Sequence, residues 1–144
     1  MSAPVGHRQP ATSTVTFALL APIFLLMIFG AMEGGRIFSA WLIITNEARE
    51  AARYGAVRYD PMRSDSAQAD DVRAHVYQRI NGVLSQEPVT PGVPNPRVDV
   101  SMGTATAPNV TVTIYYEVDL FIPLVSAVLP DPFALAARSS MSHE

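Results

Sequence analysis

The 144-residue chain has no cysteine and no lysine, and all ten of its basic residues are arginines. The absence of cysteine excludes disulfides, thiolate nucleophiles, iron–sulfur ligation and cysteine-type zinc sites. The absence of lysine excludes Schiff-base and P-loop lysine chemistry. A formal net charge of -3 offers no basic footprint for nucleic acid. Any exported domain must therefore be held together by packing or by assembly.

Recognisable catalytic motifs are also missing. The sequence contains no HExxH, G-x-S-x-G, P-loop or dinucleotide-binding pattern. The three histidines, His7, His75 and His143, are scattered without ligand spacing, and His75 is expected to be a surface residue. The sequence therefore predicts no enzyme, no cofactor and no metal site.

Charge is absent from one long segment near the N-terminus. No charged residue lies between Gln9 and Met32, and Val15–Met32 is almost wholly apolar. As a helix this stretch would span about 27 Å, close to the thickness of a hydrocarbon core. A cleaved signal peptide is the alternative, but a second apolar run follows Arg36 and Phe38 is too bulky for a cleavage site. We therefore expect a retained transmembrane helix.

The helix is expected to continue beyond the membrane. Helix formers, alanine above all, run on to Val57, so we predict one helix over residues 14–59, about 69 Å long. Trp41 would lie near the membrane interface, where indoles are favoured. Pro22 would either kink the helix or lie harmlessly near its start.

Small residues recur along this helix at four-residue spacing. Such positions allow the backbones of two helices to approach closely. The helix-packing candidates are Gly30, Gly34, Ala48, Ala52 and Gly55.

Glu33 and Arg36 follow the apolar run, three residues apart on one face of the helix. They are expected to pair. One interpretation is a charged collar that snorkels to the membrane interface. The other is a contact with a charge on another subunit in a helix bundle, since ionisable residues in a membrane are functional candidates.

Residues 60–144 predict a small α+β head. Asp70 and Asp71 suit the first turn of a second helix, whose apolar stripe is Val72, Val76, Ile80, Val83 and Leu84. Residues 86–96 are proline-rich and predict a loop. Residues 121–129 are apolar and predict either a short helix or a loop.

Three segments predict strands. Residues 97–102 and 109–120 alternate between apolar and polar side chains, and residues 133–141 form a weaker candidate. Glu117 and Asp119 share the polar face of the second segment, where we expect them to blunt a sheet edge. The predicted fold is α+β: a long N-terminal transmembrane helix, a second helix and a three-stranded antiparallel sheet.

The apolar segment and the residues after it resemble the opening of TadE-like proteins, minor-pilin or pseudopilin components of the tight-adherence (Flp) pilus system. The resemblance covers about 43 residues. The matching residues are Phe17, Pro22, Phe29, Gly30, Glu33, Gly35, Arg36, Asn46, Ala48, Arg49, Glu50, Ala52 and Arg53. Family members often carry Glu immediately before the Phe, where this chain has Thr16.

The resemblance implies a bacterial inner-membrane protein that takes part in pilus assembly through lateral helix packing. The tail, residues 1–13, would stay inside, and the larger part after the anchor would be exported. Expected partners are membrane lipid and other pilin-like or Tad assembly subunits, in a homo- or hetero-oligomer and without nucleic acid. The alternative is a membrane-tethered extracytoplasmic binding or sensory module.

Overall fold

The computed structural model describes residues 12–103, 109–121, 126 and 129–142. Two helices precede three strands in the chain. The elements are α1 (Thr12–Val57), α2 (Asp65–Ile80), β1 (Arg97–Ser101), β2 (Asn109–Val118) and β3 (Phe133–Ser142). This is the α+β arrangement that the sequence predicts.

Helix α1 is continuous over 46 residues and passes through Pro22 without interruption. It ends at Val57, two residues before the predicted end. The chain then turns towards Pro61, and the residue before a proline is disfavoured in helical conformation. At about 1.5 Å per residue the helix is about 69 Å long, more than twice the thickness of a hydrocarbon core.

Helix α2 begins five residues earlier than the acidic pair suggests. Ser64 is its N-cap and accepts a hydrogen bond from the backbone N–H of Ala67, which satisfies a donor left free by the first turn. The prediction that Asp70 and Asp71 lie in the first turn is therefore wrong. Both lie further along the helix, where Asp70 pairs with Arg73 and Asp71 pairs with Arg63.

The buried side of α2 carries Val72, Val76 and Ile80, as predicted from the stripe. Val83 and Leu84 lie beyond the helix end, because the chain turns at Gly82 with a φ of +80° that favours glycine. Val83 is exposed in that turn, whereas Leu84 packs partly against the core.

The sheet is antiparallel in the order β1-β2-β3, so β2 is the central strand. Its side chains alternate as predicted. One face is buried and faces the helices: Val110, Val112, Ile114, Tyr116 and Val118. Ser139 and Ala137 of β3 lie opposite Val112 and Ile114 in the register and extend the same face.

The strands run along the C-terminal half of α1, with their length parallel to the helix axis. At one end of the sheet Gly55 of α1 faces Val110, and at the other end Glu33 contacts the backbone of Phe121. The helix rises about 33 Å from Glu33 to Gly55, and an extended chain covers about 36 Å from Val110 to Phe121. Because these lengths agree, β2 runs antiparallel to α1, and the end of the head that carries Phe121 lies nearest to the apolar half of the helix.

Glu117 does not lie at a sheet edge, so that prediction is wrong. It belongs to the central strand, and its carboxylate accepts a hydrogen bond of 3.2 Å from the backbone N–H of Thr90. Asp119 is exposed beyond the end of β2. The buried side chain of Asn95 bonds to the N–H and the carbonyl of Glu117, at 2.9 Å each, and thereby fixes the proline-rich loop beside β2.

Two segments predicted above fall mainly outside the described residues. They are the N-terminal tail before Thr12 and most of the apolar segment 121–129.

Candidate helix-packing site

Helix α1 is divided into two parts at Glu33. From Thr14 to Met32 no described side chain is buried. Beyond that point Ile37 is partly buried, and from Ala40 onwards every turn carries a buried residue on the side that faces the head, including Ile44 and Ala48. Within the described residues, α1 is the one helix long and apolar enough to cross a membrane. The head therefore packs only on the second part of the helix, and the first part presents a bare apolar surface.

Glu33 marks the boundary and is only 2 % exposed. Its Oε1 accepts the backbone N–H of Phe121 at 3.0 Å, and its Oε2 accepts a hydrogen bond of 2.8 Å from Arg36 Nη1. The predicted pair between Glu33 and Arg36 is therefore present. The interpretation of Glu33 as a carboxylate that snorkels to the interface is wrong, because the side chain faces its own head.

Arg36 connects Glu33 to the aromatic ring at the base of the head. Its guanidinium carbon lies 4.6 Å from the centre of the Phe121 ring, a distance at which a cation is attracted to the ring face. The Arg36 side chain is nevertheless 41 % exposed, so part of the guanidinium remains accessible from outside the chain.

Ala48, Ala52 and Gly55 lie in the core of the head. A Cβ placed on Gly55 would lie 2.8 Å from Cγ1 of Val110 and 3.1 Å from Cγ2 of Val72. The small side chains thus let α1 approach β2 and α2 of the same chain closely. In this structure they are not available to a neighbouring subunit, which corrects the expectation that they form an assembly surface.

Gly30 and Gly34 have different surroundings. A Cβ placed on either residue would meet nothing within 4 Å. The two glycines are one helical turn apart on the same side of the bare part of α1. The space around Gly30 and Gly34 is therefore open, whereas the head fills the space around Ala48, Ala52 and Gly55.

Charged residues on the second part of α1 form ion pairs with other residues of the same chain. Arg79 of α2 donates two hydrogen bonds to Glu47, of 2.7 and 3.1 Å, and so joins the two helices. Arg53 makes a similar two-bond pair with Glu50 along α1. The hydrogen bond from Arg53 lowers the pKa of Glu50 below its ordinary value. The first pair links α2 to α1, and the second lies along the surface of α1 itself.

Two clefts lie beside Arg36, and the described residues that line them form no catalytic arrangement. One of about 330 Å³ is lined by Arg36, Glu87, Tyr116, Asp119 and Phe121, among others. Burial raises the pKa of Tyr116, against smaller opposing effects of a hydrogen bond from the Ser85 backbone and of the Arg36 charge. Among the described residues no group of three or more His, Asp or Glu side chains is placed to hold a metal ion.

Fold and site together define a class of protein: a small α+β head carried on a long helix whose free half has the length and composition of a single membrane anchor. Residues 11–53 match the family model described as TadE-like protein, which confirms the resemblance inferred from the sequence. Neither the comparison with curated proteins nor the comparison with solved structures gives a match. The match implies a minor-pilin-like role associated with the Tad pilus.

The matched segment covers the first, bare part of α1 and much of the second part, on which the head packs. It includes Gly30, Glu33, Gly34, Arg36, Ala48 and Ala52, whereas Gly55 lies two residues beyond its end. Sequence reasoning identified these residues but missed the partner of Glu33, because Phe121 is 88 positions away in the chain. One available signal was that Glu33 lies on the same helix face as Ala40, Ile44 and Ala48.

Proposed function

We propose that this chain is a membrane-anchored minor pilin-like subunit that takes part in assembly of a Tad (Flp) pilus. Residues 14–32 cross the bacterial cytoplasmic membrane, the tail of residues 1–13 lies inside, and the head lies outside. The TadE-like match over residues 11–53 and the bare apolar part of α1 support this proposal. The role is structural and requires no catalysis.

The proposed contact with neighbouring subunits is the side of α1 that carries Gly30 and Gly34. The observation that carries this assignment is the open space around both glycines, in contrast to the filled space around Gly55. Small residues one turn apart let two membrane helices approach closely and gain van der Waals contact without a hydrophobic driving force. Lipid and the apolar helices of pilin-like or Tad assembly subunits, identical or different, are the partners that this surface fits.

Glu33 and Arg36 have a different place in this proposal. Their polar atoms are bonded to each other and to Phe121, so a neighbouring subunit is not needed to neutralise Glu33. They fix the head on the helix, and Ala48, Ala52 and Gly55 provide close packing there. Of the helix-packing residues predicted on α1, Gly30 and Gly34 are the two that remain as candidates for contact between subunits.

The test compares Gly34→Leu with Gly35→Leu in the full-length chain. Both changes replace an unobstructed glycine with a strong helix former. They point about 100° apart around the helix, so only the first blocks the side shared with Gly30. We expect Gly34→Leu to reduce pilus yield at least tenfold, with membrane insertion unchanged, and Gly35→Leu to retain most of the yield.

Equal yields from the two variants would contradict the assignment of this face. A photo-crosslinker placed at Gly30 supplies an independent measurement. Crosslinks to pilin-like or Tad subunits would support the proposal. A chain that remains monomeric in cells that make the pilus, and that binds a ligand through its head, would instead favour a tethered binding module.

A further inference from the structure

The base of the head presents an exposed aromatic ring. Phe121 follows the end of β2, and 73 % of its surface is exposed. Its backbone N–H is held by Glu33, which is the residue directly after Met32 at the end of the bare apolar part of α1. The backbone of Phe121 is thereby held at the height where the helix would leave the hydrocarbon core.

The direction of the strands shows which end of the head this is. Because β2 runs antiparallel to α1, Phe121 lies at the end nearest to the apolar half of the helix. Met62, which is 93 % exposed, lies in the connection between α1 and α2 at the opposite end of the head. Phe121 is therefore an exposed apolar side chain close to the proposed membrane, and Met62 is an exposed apolar side chain far from it.

Arg36 makes the surface around Phe121 amphipathic. Its guanidinium lies over the ring and is partly exposed. Trp and Tyr are enriched at membrane interfaces, and Phe is typical of the apolar faces of helices that lie in the interface. Arginine side chains near helix ends extend their charge towards the headgroups. An apolar ring beside an accessible cation fits the surface of a bilayer, where apolar lipid chains adjoin the phosphates of the headgroups.

We propose that the base of the head is a second contact with the membrane, in which the Phe121 ring enters the interfacial region of the bilayer. The occupant is the lipid surface, because the ring adjoins the bare apolar part of α1 that already requires lipid around it. Glu87 and Asp119 line the same cleft as Arg36, so no preference for anionic lipid is expected. This inference rests on the proposed insertion of α1 and adds that the head lies on the membrane.

The test uses three single-tryptophan proteins made in the Trp41→Phe background. The second changes are Phe121→Trp, Met27→Trp inside the proposed anchor and Met62→Trp at the far end of the head. Each full-length protein is reconstituted in phosphatidylcholine vesicles whose acyl chains carry bromine either near the headgroup or near the chain end. We expect tryptophan at position 121 to be quenched at least twofold by the shallow bromine and position 62 to be unaffected.

Position 27 separates failure of this inference from failure of the proposed function. Quenching at position 27 without quenching at position 121 would leave the anchor in place and overturn the head contact. A water-like emission at 121 in that case would mean that the ring is free for a protein partner. Absence of quenching at both positions would overturn the anchor as well.

A second measurement covers the case in which Phe121→Trp does not fold. The chain has no cysteine, so Phe121→Cys offers a single site for a nitroxide spin label. We expect the label to be more accessible to oxygen than to a water-soluble nickel complex, as for a group in the lipid interface. Equal or greater access of the nickel complex would overturn the proposal.

Discussion

Glu33 and Phe121 are joined by a hydrogen bond of 3.0 Å between a buried carboxylate on the long helix and a backbone N–H three residues beyond the end of the central strand. The two residues are 88 positions apart in the sequence. The bond sets the height of the head on the helix, because Glu33 is the first buried residue after the bare apolar part. It is one of the contacts between the TadE-like segment and a part of the chain outside that segment.

Loss of the Glu33 carboxylate is expected to weaken the end of the head that lies nearest to the apolar part of α1. Glu33→Leu leaves the N–H of Phe121 and the guanidinium of Arg36 without this acceptor, which costs about 1–3 kcal/mol. We expect faster amide exchange at Phe121 and a lower urea midpoint for the detergent-solubilised chain. Glu33→Gln retains a carbonyl oxygen and serves as the control, with a smaller loss. Unchanged exchange at Phe121 in Glu33→Leu would show that the bond contributes nothing to holding the head.

Gly55 is expected to tolerate no side chain. In Gly55→Ala the new methyl group would lie 2.8 Å from a methyl group of Val110, and overpacking of this kind costs about 1–3 kcal/mol. We expect the urea midpoint of the head to fall. The Gly55→Ala/Val110→Ala double variant removes the obstructing methyl group, so its midpoint should be higher than the sum of the two single effects predicts. Additive losses would contradict close packing at this position.

The periodicities in the sequence predict the elements well because each reports a local relation between neighbouring side chains. An uninterrupted apolar run followed by alanine-rich turns predicts α1 to within two residues at each end. Alternation in residues 109–120 predicts β2 and its buried face, although the strand ends two residues earlier, at Val118. The predicted start of α2 is wrong because it rests on the acidic pair at Asp70 and Asp71 alone, whereas in the structure the helix begins after the Ser64 cap.

The site was harder to predict because one spacing serves two purposes. The four-residue spacing of small side chains is the same at Gly30 and Gly34 as at Ala48 and Ala52. It indicates that another element approaches the helix closely, but it does not show which element. Only the tertiary structure shows that the head fills the space at the second pair and leaves the first pair open. Likewise, the position of Glu117 on a central strand follows from the strand order, which alternation alone does not determine.

Tyr116 is expected to make the head sensitive to alkaline pH. Burial raises its pKa above the ordinary value of 10.0, so the unfolded chain releases the phenolic proton at a lower pH than the folded chain. Stability from this group is complete below pH 10.0 and is lost as pH rises through the folded-state pKa. The urea midpoint should therefore fall between pH 9 and 11 by less in Tyr116→Phe than in the native chain. Tyr115→Phe, on the exposed face, is the control and should follow the native chain; the same behaviour in both variants would contradict this cause.

The stack between Tyr54 of α1 and His75 of α2 is expected to depend on ring shape and not on the imidazole nitrogens. The ring centres are 4.0 Å apart and the planes differ by 6°. The Nε2 atom of His75 is buried and has no hydrogen-bond partner among the described residues.

His75→Ala should lower stability by about 0.5–1.5 kcal/mol through loss of the aromatic pair, with a further loss of apolar contact. His75→Phe should retain native stability or exceed it, because the ring remains and an unsatisfied polar atom is removed. Urea midpoints of the two variants decide the matter: equal losses would show that a nitrogen of His75 is needed, and the stack would then not be the source of stability.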